Sequence, residues 1–280
     1  MIDVHIHVTP PNLPAAGPLA PILCDSPERI ATVLRREMRH AGIRFACAIG
    51  CWSAGQPEDP LGIAASLAVA AQTPGLHVIG VADPTWTDPS QLQKVEQILA
   101  QGTVVGLKLY LGYLHYEPSH PHYRPYYELA ARYNLPVFLH TGDTFSPKAK
   151  LKFAHPLGVD EVAVDHPEVQ FVLCHVGNPW MLDAAEVIYK NLNVWADLSG
   201  LLIGDEQDFA GEAMQEQAAE LAARLVKAIR YSERPNRFLY GSDWPLAPML
   251  AYRSILQRIL PPAWHELIFE ENARRLFRWR

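Results

Sequence analysis

The opening segment Ile2-Asp3-Val4-His5-Ile6-His7-Val8 alternates apolar and polar residues with a period of two. Side chains at i and i+2 of a strand point to the same side, so His5 and His7 are expected to project together, with Asp3 below them. Two neutral imidazoles on one rigid backbone make half of a metal site. The alternative is a strand with two solvated histidines, but the intervening valines and isoleucines imply burial. Four later apolar runs carry Lys108, His140, His175 and Asp243 at or near their ends, and Asp83 and Asp197 close two others. Taken singly these residues are weak signals. A histidine at a strand end is commonly a hydrogen-bonded structural residue, Asp243 in Gly-Ser-Asp-Trp-Pro could cap a turn, and Lys108 could pair with a carboxylate.

Taken together they suit one chemistry. Histidine nitrogens and carboxylate oxygens bind zinc and similar divalent ions, and a catalytic site keeps a position open for water. Such an ion lowers the pKa of bound water from about 15.7 to about 7. Asp243 is the natural partner of that water, accepting its proton and returning it to the leaving group. A metal or a protonated His175 could stabilise the developing oxyanion. Lys108 is a poor ligand as an ammonium, although a desolvated neutral lysine can add carbon dioxide and become a bridging carbamate.

The elements that must position these residues follow from periodicity. Strands are expected at Ile2–Val8, Phe45–Gly50, His77–Ala82, Val104–Tyr110, Pro136–His140, Phe171–His175, Val194–Asp197 and Arg237–Asp243. Thr9 to Pro21 reads as a loop over one end. Ser26-Pro27 opens a helix that Gly42 stops, and Asp88-Pro89 opens another that Gly102 ends. Leu61 to Gln72, Tyr126 to Tyr133 and one long stretch from Asp208 to Arg230 are further helices, with others around Ala251 and Glu270. Eight strands, each followed by a helix, in 280 residues predict a single-domain (β/α)8 TIM barrel over residues 1–280. A doubly wound open sheet would call for a Gly-rich loop after the first strand, and there is none. In a barrel the C-terminal strand ends converge on one mouth, which brings the candidate residues together.

Composition narrows the partners. A net charge of −6 with no Lys/Arg run argues against nucleic acid or an anionic membrane, leaving a small-molecule substrate. No apolar run approaches the roughly 18 residues needed to span a bilayer, and no secretory signal opens the chain. Cys24, Cys47, Cys51 and Cys174 lack disulfide or zinc-finger spacing, which fits free thiols in a cytoplasmic protein. A homo-oligomer is compatible with the sequence.

Asp3-x-His5-x-His7, Gly106-Leu-Lys108-Leu-Tyr110, Leu135-Pro-Val-Phe-Leu-His140-Thr-Gly142, Cys174-His175-Val-Gly177, Tyr240-Gly-Ser-Asp243-Trp-Pro245 and Asn272-Ala-Arg-Arg-Leu-Phe277 resemble, in that order, the amidohydrolase superfamily. The resemblance is greatest to its amidohydrolase-2 branch, which also holds aminocarboxymuconate-semialdehyde decarboxylase. It implies a distorted (β/α)8 barrel. By it, His5, His7, His140 and Asp243 fall on the ligands of a first metal. His175 falls on a second-metal ligand or a water-orienting residue, and Lys108 on the position that two-metal members carboxylate. One or two ions, zinc first and manganese, iron or nickel as alternatives, are therefore expected, with the balance toward one. In one-metal relatives the lysine is thought to stay unmodified, and Lys108 would then bind a substrate carboxylate.

Tyr110, Tyr113, Trp180 and Trp244 lie just past strand ends and could wall a pocket for a flat or ring-containing substrate, or equally pack loops over the rim. Asp143 and Lys148 follow the fifth strand and could touch substrate. The loop Tyr113 to Tyr123, with His115, His120 and His122, matches no ligand spacing and reads as a solvated lid. The leading expectation is hydrolysis of a C–N or C–O bond in a cyclic amide, lactone or ester. The second is non-oxidative decarboxylation of an unsaturated or aromatic carboxylate. Decarboxylases of the branch are usually longer and often lack the strand-four lysine, which tilts the expectation toward hydrolysis. A barrel kept only for binding is disfavoured because no ligand position has been lost.

Overall fold

Eight parallel strands pair in chain order in a computed structural model that describes residues 1–279. They are β1 (Ile2–His7), β2 (Phe45–Ile49), β3 (Leu76–Val81), β4 (Val104–Leu109), β5 (Val137–Leu139), β6 (Phe171–Leu173), β7 (Val194–Asp197) and β8 (Phe238–Leu239). All but three strand residues are buried, as expected where one face meets helices and the other the barrel interior. The seam between first and last strands is closed by backbone bonds from Val4 N–H to Tyr240 O (2.9 Å), Asp243 N–H to His5 O (2.9 Å) and His7 N–H to Trp244 O (2.7 Å). This is the nearly closed (β/α)8 barrel expected from the alternation of elements.

The helices that bracket the strands are α1 (Pro27–Ala41), α2 (Ala64–Ala70), α3 (Pro89–Ala100), α4 (Arg124–Tyr133), α5 (Gly158–Asp165), α6 (Met181–Lys190), α7 (Glu206–Ala210), α8 (Glu212–Tyr231), α9 (Met249–Ile259) and α10 (Asn272–Phe277). Their ends are written in the sequence. The Ser26 hydroxyl accepts from Arg29 N–H at the start of α1, and Gly42 ends it at φ 64°. Asp88 caps α3 through the N–H groups of Ser90 and Gln91. The single long helix expected from Asp208 to Arg230 is instead two, because Gly211 is extended (φ −79°, ψ 156°) and separates α7 from α8. None of these helices is long and apolar enough to cross a membrane.

Two differences bear on the site. A register shift between Asp3 and Ile6 interrupts the alternation of β1. Ile2 and Val4 join the inner apolar cluster with Phe138, Val172 and Leu239, whereas Ile6 joins the outer one with Leu34 and Leu107. Asp3 therefore does not sit in one row below the two histidines; its Oδ1 accepts the N–H groups of His5 (3.2 Å) and Ser242 (3.0 Å). Second, β5, β6 and β8 stop short, so His140, His175 and Asp243 stand on the turns beyond them. The backbone has turned left-handed at His175 (φ 59°) and Asp243 (φ 61°), and such residues cannot extend a ladder.

The other end of the barrel is closed by rings. Trp279 packs on His77 (4.4 Å between centroids), Phe277 (4.6 Å) and Phe45 (5.6 Å), and Phe277 stacks toward Phe138 (6.2 Å).

Candidate metal centre

His5 and His7 reach the mouth from β1, and Asp243 from the turn after β8. One ligand atom from each lies within 4.8 Å of the others. His7 Nε2 is 3.3 Å and His5 Nε2 3.6 Å from Asp243 Oδ1. Tetrahedral ligands each about 2.0–2.2 Å from an ion are themselves about 3.3–3.6 Å apart. Among the described residues, the buried Asp243 Oδ1 accepts no hydrogen bond and His7 Nδ1 is equally unpartnered. Burial pushes the Asp243 carboxyl up, but the rings of His7, His5 and His175 outweigh it and hold the group well below the usual carboxylate range. A buried, ionised oxygen without a donor is costly, and a cation at that point removes the cost. The donor set fits a divalent ion.

A second carboxylate sets the orientation of these groups. Asp197, the last residue of β7, bonds His5 Nδ1 through Oδ2 at 2.9 Å. Its Oδ1 accepts from His175 N–H (3.0 Å), Ser199 N–H (3.0 Å) and Ser199 Oγ (2.5 Å). Burial pushes Asp197 up, and the His5 ring with these donors brings it well below the ordinary value, so it stays an anion. Burial also pushes His5 down to about 4 despite the nearby carboxylates. At neutral pH His5 is then an uncharged imidazole whose Nδ1–H donates to Asp197, which leaves the Nε2 lone pair on the Asp243 side.

His175 sits in a turn where both it and Val176 (φ 42°, ψ 32°) are left-handed, a rare conformation for a β-branched residue. Its Nδ1 bonds the Ser199 carbonyl at 3.0 Å and stands 4.0 Å from Asp243 Oδ2. Gly200 makes this approach feasible. A Cβ there would lie 2.7 Å from Asp243 Oδ2 and 2.8 Å from His175 Nδ1.

His140 adjoins His175, with 4.9 Å between ring centroids, but its Nε2 is bonded to the Asp143 carbonyl at 2.8 Å. The structure thus places His140 beside the trio and not within it. Burial, with His175 and Lys108 nearby, pushes its pKa well below the ordinary value, so the ring is neutral. Lys108 is almost wholly buried, with Nζ 2.8 Å from Cys174 Sγ and 5.4 Å from the centre of the Tyr110 ring. Among the described residues no carboxylate pairs with it. Cys174 also falls within ligand reach of His5 and Asp197, but burial pushes its thiol well up, and a thiol is a weak ligand.

Above these groups lies a cavity of about 110 Å³, lined among others by His5, His7, Lys108, His140, His175 and Asp243. Tyr110 and Tyr113 wall it. Tyr110 donates to the Gly50 carbonyl (2.8 Å), and Tyr113 meets the His140 ring edge-on at 4.9 Å. The other two aromatic candidates are elsewhere: Trp180 packs on His155 at 4.8 Å, and Trp244 is buried in the outer core. Trp180 packs a loop and Trp244 the core, and neither lines the cavity. Asp143 lines the cavity but Lys148 does not, its carbonyl holding His115. His120 and His122 also lie off the cavity, His122 on the Pro84 carbonyl. Asp197, which the sequence shows only as a strand-end carboxylate, and Ser199 are functional positions to which the motifs assign no role. Their signal was a carboxylate at a strand end followed two residues later by a hydroxyl.

The family model described as Amidohydrolase matches residues 2–279. A search of curated proteins found no match. Among solved structures, an uncharacterised TIM-barrel protein from Bordetella bronchiseptica is 19% identical over 99% of both chains, with a TM-score of 0.67. A 2,6-dihydroxybenzoate decarboxylase from Rhizobium is 16% identical over 99% of this chain and 98% of its own, with a TM-score of 0.65. An amidohydrolase from Burkholderia multivorans with bound zinc is 16% identical with the same coverage and a TM-score of 0.64. At these identities the likeness is one of fold.

Proposed function

Because the chain belongs to the amidohydrolase family and is an enzyme of that family, we propose that it is a metal-dependent decarboxylase of an aromatic or unsaturated carboxylate. The observation that carries this reading is Lys108, a buried amine on the cavity wall with no carboxylate partner among the described residues. A buried ammonium calls for an anion. A substrate carboxylate supplies one, and a neutral lactone or amide does not. The likeness to a 2,6-dihydroxybenzoate decarboxylase is in keeping with it.

His5, His7 and Asp243 would hold the ion, with His140 and His175 adjoining as further ligands or water-orienting groups. Zinc suits these nitrogen and oxygen donors, with manganese, iron and nickel as alternatives, and the ion supplies positive charge that polarises a substrate oxygen. Lys108 fixes the carboxylate from below while Tyr110 and Tyr113 bracket the ring. We take Lys108 as uncarboxylated because its nitrogen already lies against the Cys174 thiol. Asp243, ionised before substrate enters, takes the proton of a ring hydroxyl and later delivers it to carbon. The ring–carboxylate bond breaks, its electron pair stays on the ring carbon, that carbon takes the proton, and carbon dioxide leaves. His175, tethered by Ser199, stands close enough to Asp243 to steady its charge.

Hydrolysis is the second reading. It is favoured by the ionised Asp243 carboxylate, which could equally take a proton from water. The residues act as one domain on a small molecule, and the four free thiols accord with a cytoplasmic location. The test is carbon dioxide release from hydroxylated benzoates set beside turnover of lactones and cyclic amides, all with zinc- or manganese-loaded protein. Lys108→Met should raise KM for the carboxylate at least tenfold, about 1.4 kcal/mol of lost charge-assisted binding. Turnover of lactones with no carbon dioxide from any benzoate would reverse the two readings.

A further inference from the structure

The cavity has a charged floor and an apolar rim. Phe145 is 54% exposed and Ile203 39% exposed, yet both line the same cavity as Lys108, as does half-buried Leu19. Single exposed apolar side chains are ordinary on a protein surface. Two of them and the half-buried Leu19 around one opening, each from a different loop, are a patch with a purpose. They follow β1, β5 and β7, so they encircle the mouth.

The rim is built in advance. The Phe145 N–H donates to the Tyr113 hydroxyl at 2.9 Å, which ties the loop after β5 to the cavity wall. The buried Ser146 Oγ donates to the Pro14 carbonyl at 2.6 Å, which ties that loop to the one carrying Leu19. A rim joined to its neighbours loses little entropy when a ligand settles on it.

Size and charge then define what settles there. An apolar cavity of roughly 150 Å³ admits benzene, so a space of this order takes one ring and little more. With the carboxylate on Lys108, any group on the far edge of the ring must emerge between Leu19, Phe145 and Ile203. Asp143 stands exposed beside them and opposes a second anion. We propose that these three side chains form an apolar subsite for a hydrocarbon substituent on the ring edge remote from the carboxylate. The preferred substrate is then an alkyl-extended aromatic carboxylate and not the bare acid. This rests on Lys108 binding the carboxylate, as proposed above.

The experiment is calorimetry with 2-hydroxybenzoate and its 4-methyl, 4-ethyl and 4-propyl derivatives on zinc-loaded protein. Each added carbon should tighten Kd about fourfold, the worth of one buried methylene. Phe145→Ala should flatten that dependence to less than twofold per carbon, with an unchanged melting temperature as the sign that the half-exposed side chain left the fold intact. Ile203→Ser serves as a second variant should the first fail to fold. If the bare acid binds and lengthening it brings no gain, the subsite is wrong and the Lys108 assignment stands. If no acid of the series binds, both fall.

Discussion

Asp197 receives four donors while making no contact with the cavity, so it acts through the residues it holds. Asp197→Ala should weaken zinc affinity about 10- to 100-fold, the usual effect of losing the partner of a metal-bound histidine. Asp197→Asn keeps one acceptor for His5 Nδ1–H and should recover part of that loss. Competition with a chromogenic chelator measures both, and equal affinity in all three proteins would remove Asp197 from this role. His5, His7 and Asp243 were legible in the sequence because strand spacing and a local motif announce them. Asp197 was visible only as one more strand-end carboxylate, since its importance lies in partners 22 and 192 residues away. Trp244 and Tyr110 illustrate the same limit. Both are aromatics near a strand end, and only packing sends one into the core and the other to the cavity.

The turns after the strands hold the groups that the strands themselves do not. Left-handed residues gather here at His175, Val176, Gly200 and Asp243. Gly200→Ala meets both a conformational penalty and a collision with Asp243 and His175. It should lower kcat/KM at least a hundredfold, since misplacement of about 1 Å can cost that much. Gly102→Ala is the control, being equally left-handed (φ 70°) with nothing within 4 Å of the added carbon. It should melt slightly lower and keep full activity; comparable losses in the two variants would mean that strain alone explains the effect. Helix starts and stops were legible because Ser26, Asp88 and Gly42 act locally. The shortness of β5, β6 and β8 was not, because Cys174 and Tyr240 prolong two of the apolar runs and His140 follows the third with no break signal between. Periodicity cannot register where a backbone leaves its ladder, nor that Gly211 divides a helix whose apolar stripe runs on.

The order of the whole molecule was the most legible feature, since each strand pairs with its sequence neighbours and only local alternation is needed to infer it. The aromatic closure of the lower end was not foreseen, because Phe45, His77 and Trp279 are brought together by tertiary packing alone. His77 gives it a pH signature. Burial lowers its pKa in the folded chain, so its contribution to stability is present above the unfolded value of about 6.5 and is lost as pH falls below it. The melting-temperature advantage of the parent over His77→Leu should therefore shrink between pH 7.5 and pH 5. A gap that does not vary with pH would show that the ring titrates as if exposed.

The seam of the barrel has one more implication. Two of the three backbone bonds that join β1 to the end of β8 use groups of His5, His7 and Asp243, whose side chains converge on the ion position. On a ribosome, a nascent chain has made both histidines long before Asp243 exists. It can neither shut its sheet nor gather these three groups until that late turn has emerged. Tight zinc capture by this trio would thus mark a chain whose last strand is in place.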